Sequence, residues 1–301
     1  MEPDRTLNRP RRKSPYEFEG SFDRRALQLP DGRRKAQLFS ALMPAGCHTI
    51  LDAGGGTGWA TIGLREKYKV VTLDSSAKSL THATGVAVLA NVEALPFGDR
   101  SFDLVISSQV LEHLSNAALT KTCSEMMRVA NQYLLVSVPY REVLELRFVC
   151  CSWCGHVFHP YYHCRAFTER DLAALFPQWL MAEWHVFGVL CRGSGMTGKL
   201  KPRSLGLTRD LPLATADTIC PQCGKEGEPN RTRRVTKGSI FQRIASSSKI
   251  QRLRSLSLQR VEPYPTFLPQ AVAPYWIAAL FIREGASAID GDLIKSSENT
   301  Q

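Results

Sequence analysis

From His48 onward, short apolar runs alternate with segments whose apolar residues recur at helical spacing. His48–Ala53, Lys69–Leu73, Val86–Leu89, Phe102–Ser107 and Tyr133–Val138 read as strands, because Val, Ile and Leu fill consecutive positions in each. Thr57–Lys67, Ser76–His82 and Asn116–Val129 read as helices between them. A shorter helix, Ala36–Leu42, precedes the first strand and is stopped by Pro44 and Gly46. Strands that are apolar at every position are buried on both faces, so the alternation predicts a parallel sheet covered by helices on both sides.

Beyond Pro139 the rhythm breaks. A cysteine- and histidine-rich stretch at 150–164 precedes a helix opened by Thr168, with Asp171 placed to complete a capping box. Two strand candidates remain, Ala182–Leu190 and Tyr275–Arg283, separated by a long basic stretch. The predicted organisation is a disordered basic arm at 1–20, a core at 21–145 and a cysteine-rich insertion at 146–166. A core helix and strand follow at 167–191, then a basic insertion at 192–274, a last core strand at 275–285 and a disordered tail at 286–301.

A chain of 301 residues, 44% hydrophobic and 22% charged, has the size and composition of one large soluble domain with an accessory element. The opening residues contain no apolar run of signal-peptide length, which makes the cytoplasm the expected location. Net charge is +10, and residues 192–260 alone carry 15 Lys and Arg against 4 Asp and Glu. An acidic partner, such as a phosphate-linked acceptor, a membrane surface or RNA, accounts for such a stretch; so does a solvated loop. Ile240, Phe241, Ile244 and Leu253 interleave there with Arg243, Lys249, Arg252 and Arg254, a pattern that suits peripheral membrane contact or packing on the core.

The first strand runs into Leu51-Asp52-Ala53-Gly54-Gly55-Gly56-Thr57-Gly58. Loops after strands in α/β sheets are where nucleotide-like ligands bind, and glycines let the backbone turn sharply and approach the ligand. The dinucleotide spacing is not met, because Trp59 stands where its last glycine belongs, and the Gly-Lys-Ser/Thr of a phosphate loop is absent. Asp74 ends the second strand 20 residues after Gly54, the usual distance for a carboxylate that accepts both ribose hydroxyls.

With Asn91-Val92-Glu93-Ala94-Leu95-Pro96-Phe97, Ser101–Ser107 and Leu111-Glu112-His113-Leu114, these segments resemble, in order, the motifs of class I S-adenosylmethionine-dependent methyltransferases of the small-molecule branch. The resemblance spans roughly residues 35–140. It implies a Rossmann-like doubly wound α/β sheet of seven strands, the last antiparallel, with a zinc-knuckle insertion added by this chain. It also implies that Asp52, Ala53, Gly54, Gly55, Gly56 and Gly58 hold the methionine portion of the donor, and Asp74 with Ser75 the ribose. Asn91, Val92 and Glu93 then meet the adenine, while Ser107 and Gln109 line the pocket near the sulfonium. Asn91 departs from the family's usual Asp, although an amide oxygen still accepts a hydrogen bond.

Transfer from a sulfonium needs alignment of the acceptor and, where the acceptor is a hydroxyl, removal of a proton. His113 is the candidate base, since imidazole titrates near neutrality; the other reading gives it a structural role in the loop. Tyr140, Arg141 and Glu142 follow the fifth strand and, with His159, are candidate acceptor contacts.

Cys151-Ser152-Trp153-Cys154-Gly155 and Cys220-Pro221-Gln222-Cys223-Gly224 are matching knuckles. Two such pairs complete a closed tetrahedral thiolate site for a structural Zn2+, here expected to staple a cover over the acceptor pocket. Nearby histidines leave open a ligand set in which a His replaces one Cys. His159-Pro160 and His163, together with Ser137–Glu142, resemble methyltransferases of polysaccharide gene clusters over a shorter span. The predicted reaction is O-methylation of a sugar, glycan precursor or other small metabolite. The alternative is an RNA methyltransferase that uses the basic insertion to hold phosphates.

Overall fold

The computed structural model describes residues 30–187, 213–214, 218–227 and 275–285. The expected arm and tail, and the interfacial pattern around Ile240–Arg254, lie outside the described residues. The chain divides into two units, one of Met1–Leu144, His163–Val189 and Pro274–Gln301, the other of Glu145–Tyr162 and Leu190–Ala273. Among the described residues, no helix is long and apolar enough to cross a membrane.

The first unit is built on a seven-stranded sheet. Its strands are β1 (Thr49–Ala53), β2 (Lys69–Asp74), β3 (Val86–Leu89), β4 (Phe102–Ser108), β5 (Ala130–Pro139), β8 (Trp179–Phe187) and β9 (Trp276–Arg283), in spatial order β3-β2-β1-β4-β5-β9-β8. β1 to β5 are parallel, and β9 runs antiparallel to both β5 and β8. This is the Rossmann-like arrangement with an inverted last strand that the sequence predicts.

Consecutive apolar residues in the central strands do face opposite sides. Ile50, Leu104, Ile106, Leu135 and Leu280 join Phe39 and Leu42 in one buried cluster, fed by helix α1 (Pro30–Ala41). Leu51, Val105, Leu134, Val136 and Phe281 join the other, with Leu119 and Met126 of α3 (Asn116–Val129) and Leu172 of α4 (Glu169–Leu175). Each fully buried Leu or Ile contributes roughly 1.5–3 kcal/mol, so this double-sided burial is the main support of the sheet.

Ser115 caps α3 by accepting from the Ala118 N–H, and Thr168 and Asp171 form the predicted capping box of α4. Two predicted helices are shorter than their sequence pattern. Thr57–Lys67 yields only a 3-10 helix at Trp59–Leu64, where the Thr61 hydroxyl turns inward onto Asp52 and Gly63 weakens helix propensity. Ser76–His82 yields α2 at Ala77–Leu80. β8 begins three residues before the expected Ala182, because Trp179, Leu180 and Met181 pair with Arg283, Ile282 and Phe281 of β9 ahead of a bulge.

The second unit contains a small hairpin, β6 (Val149–Cys150) with β7 (Val157–Phe158). Val149, Cys151, Phe158, Ala214 and Cys220 form its buried cluster, and the Ala214 N–H donates to Cys150 O at 2.9 Å.

Candidate donor site and cysteine cluster

At the carboxyl end of β1 the backbone turns through left-handed conformations at Gly54 (φ 76°), Gly56 (φ 55°) and Gly58 (φ 72°). The N–H groups of Gly54 and Gly55 both donate to Leu73 O, at 2.7 and 3.1 Å, which pins the bend to the end of β2. The sequence suggests that glycines serve close approach of a ligand, but their nearest constraint is the protein itself. A Cβ at Gly54 would lie 2.5 Å from Val110 Cγ2, and one at Gly55 would lie 2.4 Å from Cγ of Asp52.

Asp52 is fully buried. Its Oδ2 accepts from Thr61 Oγ1 at 2.7 Å, whereas Oδ1 has no hydrogen-bond partner among the described residues. Burial pushes this carboxyl up to about 6, with Thr61 and Arg65 opposing the shift and Asp74 adding to it. Asp74, the last residue of β2, turns back toward the bend. Its Oδ2 accepts from the Gly56 N–H at 2.9 Å and its Oδ1 from the Ser76 N–H at 2.8 Å. Burial raises its pKa, and the backbone N–H groups of Ser76, Gly56 and Ser75 counter that rise.

The parallel register carries the site across the sheet. Asp74 is level with Leu89, and the chain leaves β3 through Ala90, whose N–H donates to Asp74 O, into exposed Asn91. The Asn91 amide oxygen already accepts from the Glu93 N–H at 3.0 Å, which holds the turn. Val92 is a member of the core cluster, so its side chain serves packing. From β4, Ser107 is buried with its Oγ unpartnered among the described residues, and Gln109 is held at φ 60° with its N–H on Ser137 O. Val110 brings this loop against Gly54.

This chain fits a bound S-adenosylmethionine at the bend on two counts. An orphaned buried carboxylate oxygen sits beneath the bend, and a carboxylate at the end of β2 faces it. Residues 51–133 match the methyltransferase domain family. Over that span the chain resembles class I S-adenosylmethionine-dependent methyltransferases. Malonyl-[acyl-carrier protein] O-methyltransferase 1 of Coxiella burnetii is 32% identical over 117 residues, covering 38% of this chain and 41% of that protein. A probable S-adenosylmethionine-dependent methyltransferase of Mycobacterium tuberculosis is 31% identical over 117 residues, covering 36% of this chain and 42% of the relative. The chain thus spans less than half the length of these curated relatives. A solved methyltransferase structure from Archaeoglobus fulgidus is 14% identical, covering 86% of this chain and 97% of that one, with a TM-score of 0.47.

Within the first unit, the candidate acceptor contacts Tyr140, Arg141 and Glu142 are already engaged. Tyr140 Oη donates to Glu169 Oε2 at 3.0 Å, and Arg141 pairs with Glu169 Oε1 at 2.9 Å. Buried Glu142 lies 2.5 Å, Oε2 to Nδ1, from His163. His113 ends the short turn after β4, with its Nε2 4.0 Å from Glu112 Oε1 and its ring edge-on to that of His163 at 5.0 Å. Burial drives the Glu112 carboxyl well above the usual range, Lys35 opposing and Glu142 adding.

Sequence reasoning misses Lys35. It is buried in α1, donates to Ser108 Oγ at 3.5 Å and stands over the Trp59 and Trp276 rings. The available signal is its spacing: Lys35, Phe39 and Leu42 share one apolar helix face, where a Lys finds aromatic partners instead of water.

In the second unit, Cys151, Cys154, Cys220 and Cys223 bring their sulfurs within 4.8 Å of one another. Cys151 and Cys223 are 3.7 Å apart, Cys154 and Cys220 3.6 Å. Four sulfurs on tetrahedral bonds of about 2.3 Å would stand roughly 3.8 Å apart. The knuckles are built alike. Gly155 and Gly224 have φ of 72° and 71°, and their N–H groups donate to Cys151 O and Cys220 O. Among the described residues, no histidine joins this group. His156 stacks on Phe158, and buried His159 accepts from the Tyr161 N–H.

Proposed function

We propose that this chain transfers the methyl group of S-adenosylmethionine to a hydroxyl of a sugar, glycan precursor or other small metabolite. The observation that carries the donor assignment is Asp52, whose buried Oδ1 lacks a partner among the described residues directly beneath the glycine bend. In this reading Asp52 and Gly54, Gly55, Gly56 and Gly58 hold the methionine portion, Asp74 with Ser75 the ribose, Asn91 and Glu93 the adenine edge, and Ser107 and Gln109 the sulfonium side. The Coxiella burnetii relative is an O-methyltransferase, which supports oxygen as the accepting atom. His113 stands at the deprotonation step, and the four thiolates take a structural Zn2+, whose filled shell leaves no position for catalysis.

Isothermal titration with S-adenosylmethionine tests the donor, and methyl-labelled donor added to cell extract tests the acceptor. Binding, with label in the glycan or metabolite fraction, is expected. Absence of binding removes the enzymatic reading, while label confined to RNA replaces the acceptor class with RNA gripped by the basic insertion.

A further inference from the structure

Glu112, His113 and His163 lie together within the first unit and use none of the residues of the glycine bend. One ligand atom from each falls within 4.8 Å of the others. Glu112 is fully buried, and neither of its carboxyl oxygens has a hydrogen-bond partner among the described residues. Lys35 attracts it electrostatically without bonding to it. A carboxyl group stripped of water and left without donors is costly in a folded interior. Two imidazoles beside it are the right company for a cation.

A second carboxylate sets the tautomer of His163. Glu142 Oε2 lies on His163 Nδ1, and Glu142 Oε1 accepts from Tyr275 Oη at 3.4 Å. A carboxylate on Nδ1 keeps the proton there, so Nε2 presents a lone pair. That is the outer-carboxylate arrangement found behind metal-bound histidines. We propose that Glu112, His113 and His163 bind a first-row divalent cation, with Glu142 positioning His163; in the metal-bound chain His113 is a ligand and no longer the base. Two nitrogens and a carboxylate oxygen suit Mn2+, Fe2+, Co2+ or Zn2+, whereas Mg2+ and Ca2+ favour all-oxygen sets. The site is distinct in kind from the thiolate cluster, whose soft ligands select against Mn2+.

The test is Mn2+ titration of the full chain, zinc retained, with free ion read from its six-line electron paramagnetic resonance signal. About one Mn2+ bound per chain is expected, since the donor set is complete within one unit. Glu112→Gln and His113→Gln should each weaken binding at least tenfold, while His185→Gln, an exposed histidine elsewhere on the sheet, leaves it unchanged. His113 is partly exposed, so its variant remains informative if removal of the buried Glu112 charge prevents folding. Stoichiometric Mn2+ binding that persists in folded His113→Gln, or no binding by the wild-type chain, overturns the proposal. S-adenosylmethionine titration of the same samples reports separately on the donor site.

Discussion

Gly55 passes over Asp52 so closely that a methyl group on its Cα would stand 2.4 Å from the carboxyl carbon. Neither group can retreat, because Asp52 is enclosed and the bend is tied to Leu73. Gly55→Ala should therefore destabilise the fold by about 1–3 kcal/mol through overpacking. The clash identifies its own remedy: Asp52→Ala in the same chain should recover part of the loss, whereas Asp52→Asn, of equal size, should not. Urea melts of the single and double variants decide this, and additive effects would contradict the contact.

Asp52 also sets a pH dependence. Its folded pKa of about 6 exceeds the ordinary carboxyl value of 3.8, so between those values the folded chain holds more protons than the unfolded one. Its contribution to stability is greatest below the unfolded pKa and declines as pH rises through the folded one. Relative to Asp52→Asn, the ligand-free wild type should lose about 2 kcal/mol between pH 4 and 7, since each tenfold difference in proton affinity is worth roughly 1.4 kcal/mol and part of the shift lies below pH 4. Stability curves that run parallel across this range would show that the carboxyl titrates normally.

Asp74 presents one oxygen to Gly56 and the other to Ser76. In Asp74→Asn the amide nitrogen must face one of those N–H donors. S-adenosylmethionine binding should weaken at least tenfold, about 1.4 kcal/mol, as read by titration calorimetry. Unchanged affinity would place the ribose elsewhere.

The thiolate cluster predicts an optical signature. With Co2+ added to metal-free protein, the chain should show sulfur-to-cobalt charge transfer in the near ultraviolet, which Cys223→Ala, leaving three thiols, should weaken. Cys47 and Cys123, whose thiols burial pushes up to about 12, should not react with a thiol reagent in the native state. Modification of either before unfolding would be inconsistent with that burial.

Arg283 closes α3 onto β9. Its guanidinium donates to Met127 O, Ala130 O and Asn131 O, and lies over the Trp179 ring. Arg283→Met should cost about 1–3 kcal/mol by stranding helix-terminal carbonyls, without altering donor affinity. A chemical melt within error of wild type would show those bonds to be replaceable by water.

The sheet is legible because burial on both faces writes itself as apolar residues next to one another in sequence, as in Ile50-Leu51 and Leu104-Val105-Ile106. Helix extent was less so: α1 starts at Pro30, well ahead of the apolar face that begins near Ala36, and the 3-10 form at Trp59–Leu64 depends on where one Thr hydroxyl points. In the candidate site, Asp52, the glycines and Asp74 are visible because each sits at or beside a strand end. The meeting of Glu112, His113, Glu142 and His163 was not, because it joins the turn after β4, the chain after β5 and the segment ahead of α4, which no single window of sequence contains.

β9 lies between β5 and β8, although it is made long after both. During synthesis those two strands must wait with open edges until the last one emerges from the ribosome. Trp276–Arg283 therefore controls when the sheet becomes whole, and a chain cut short before Trp276 would leave β5 and β8 without the strand that joins them.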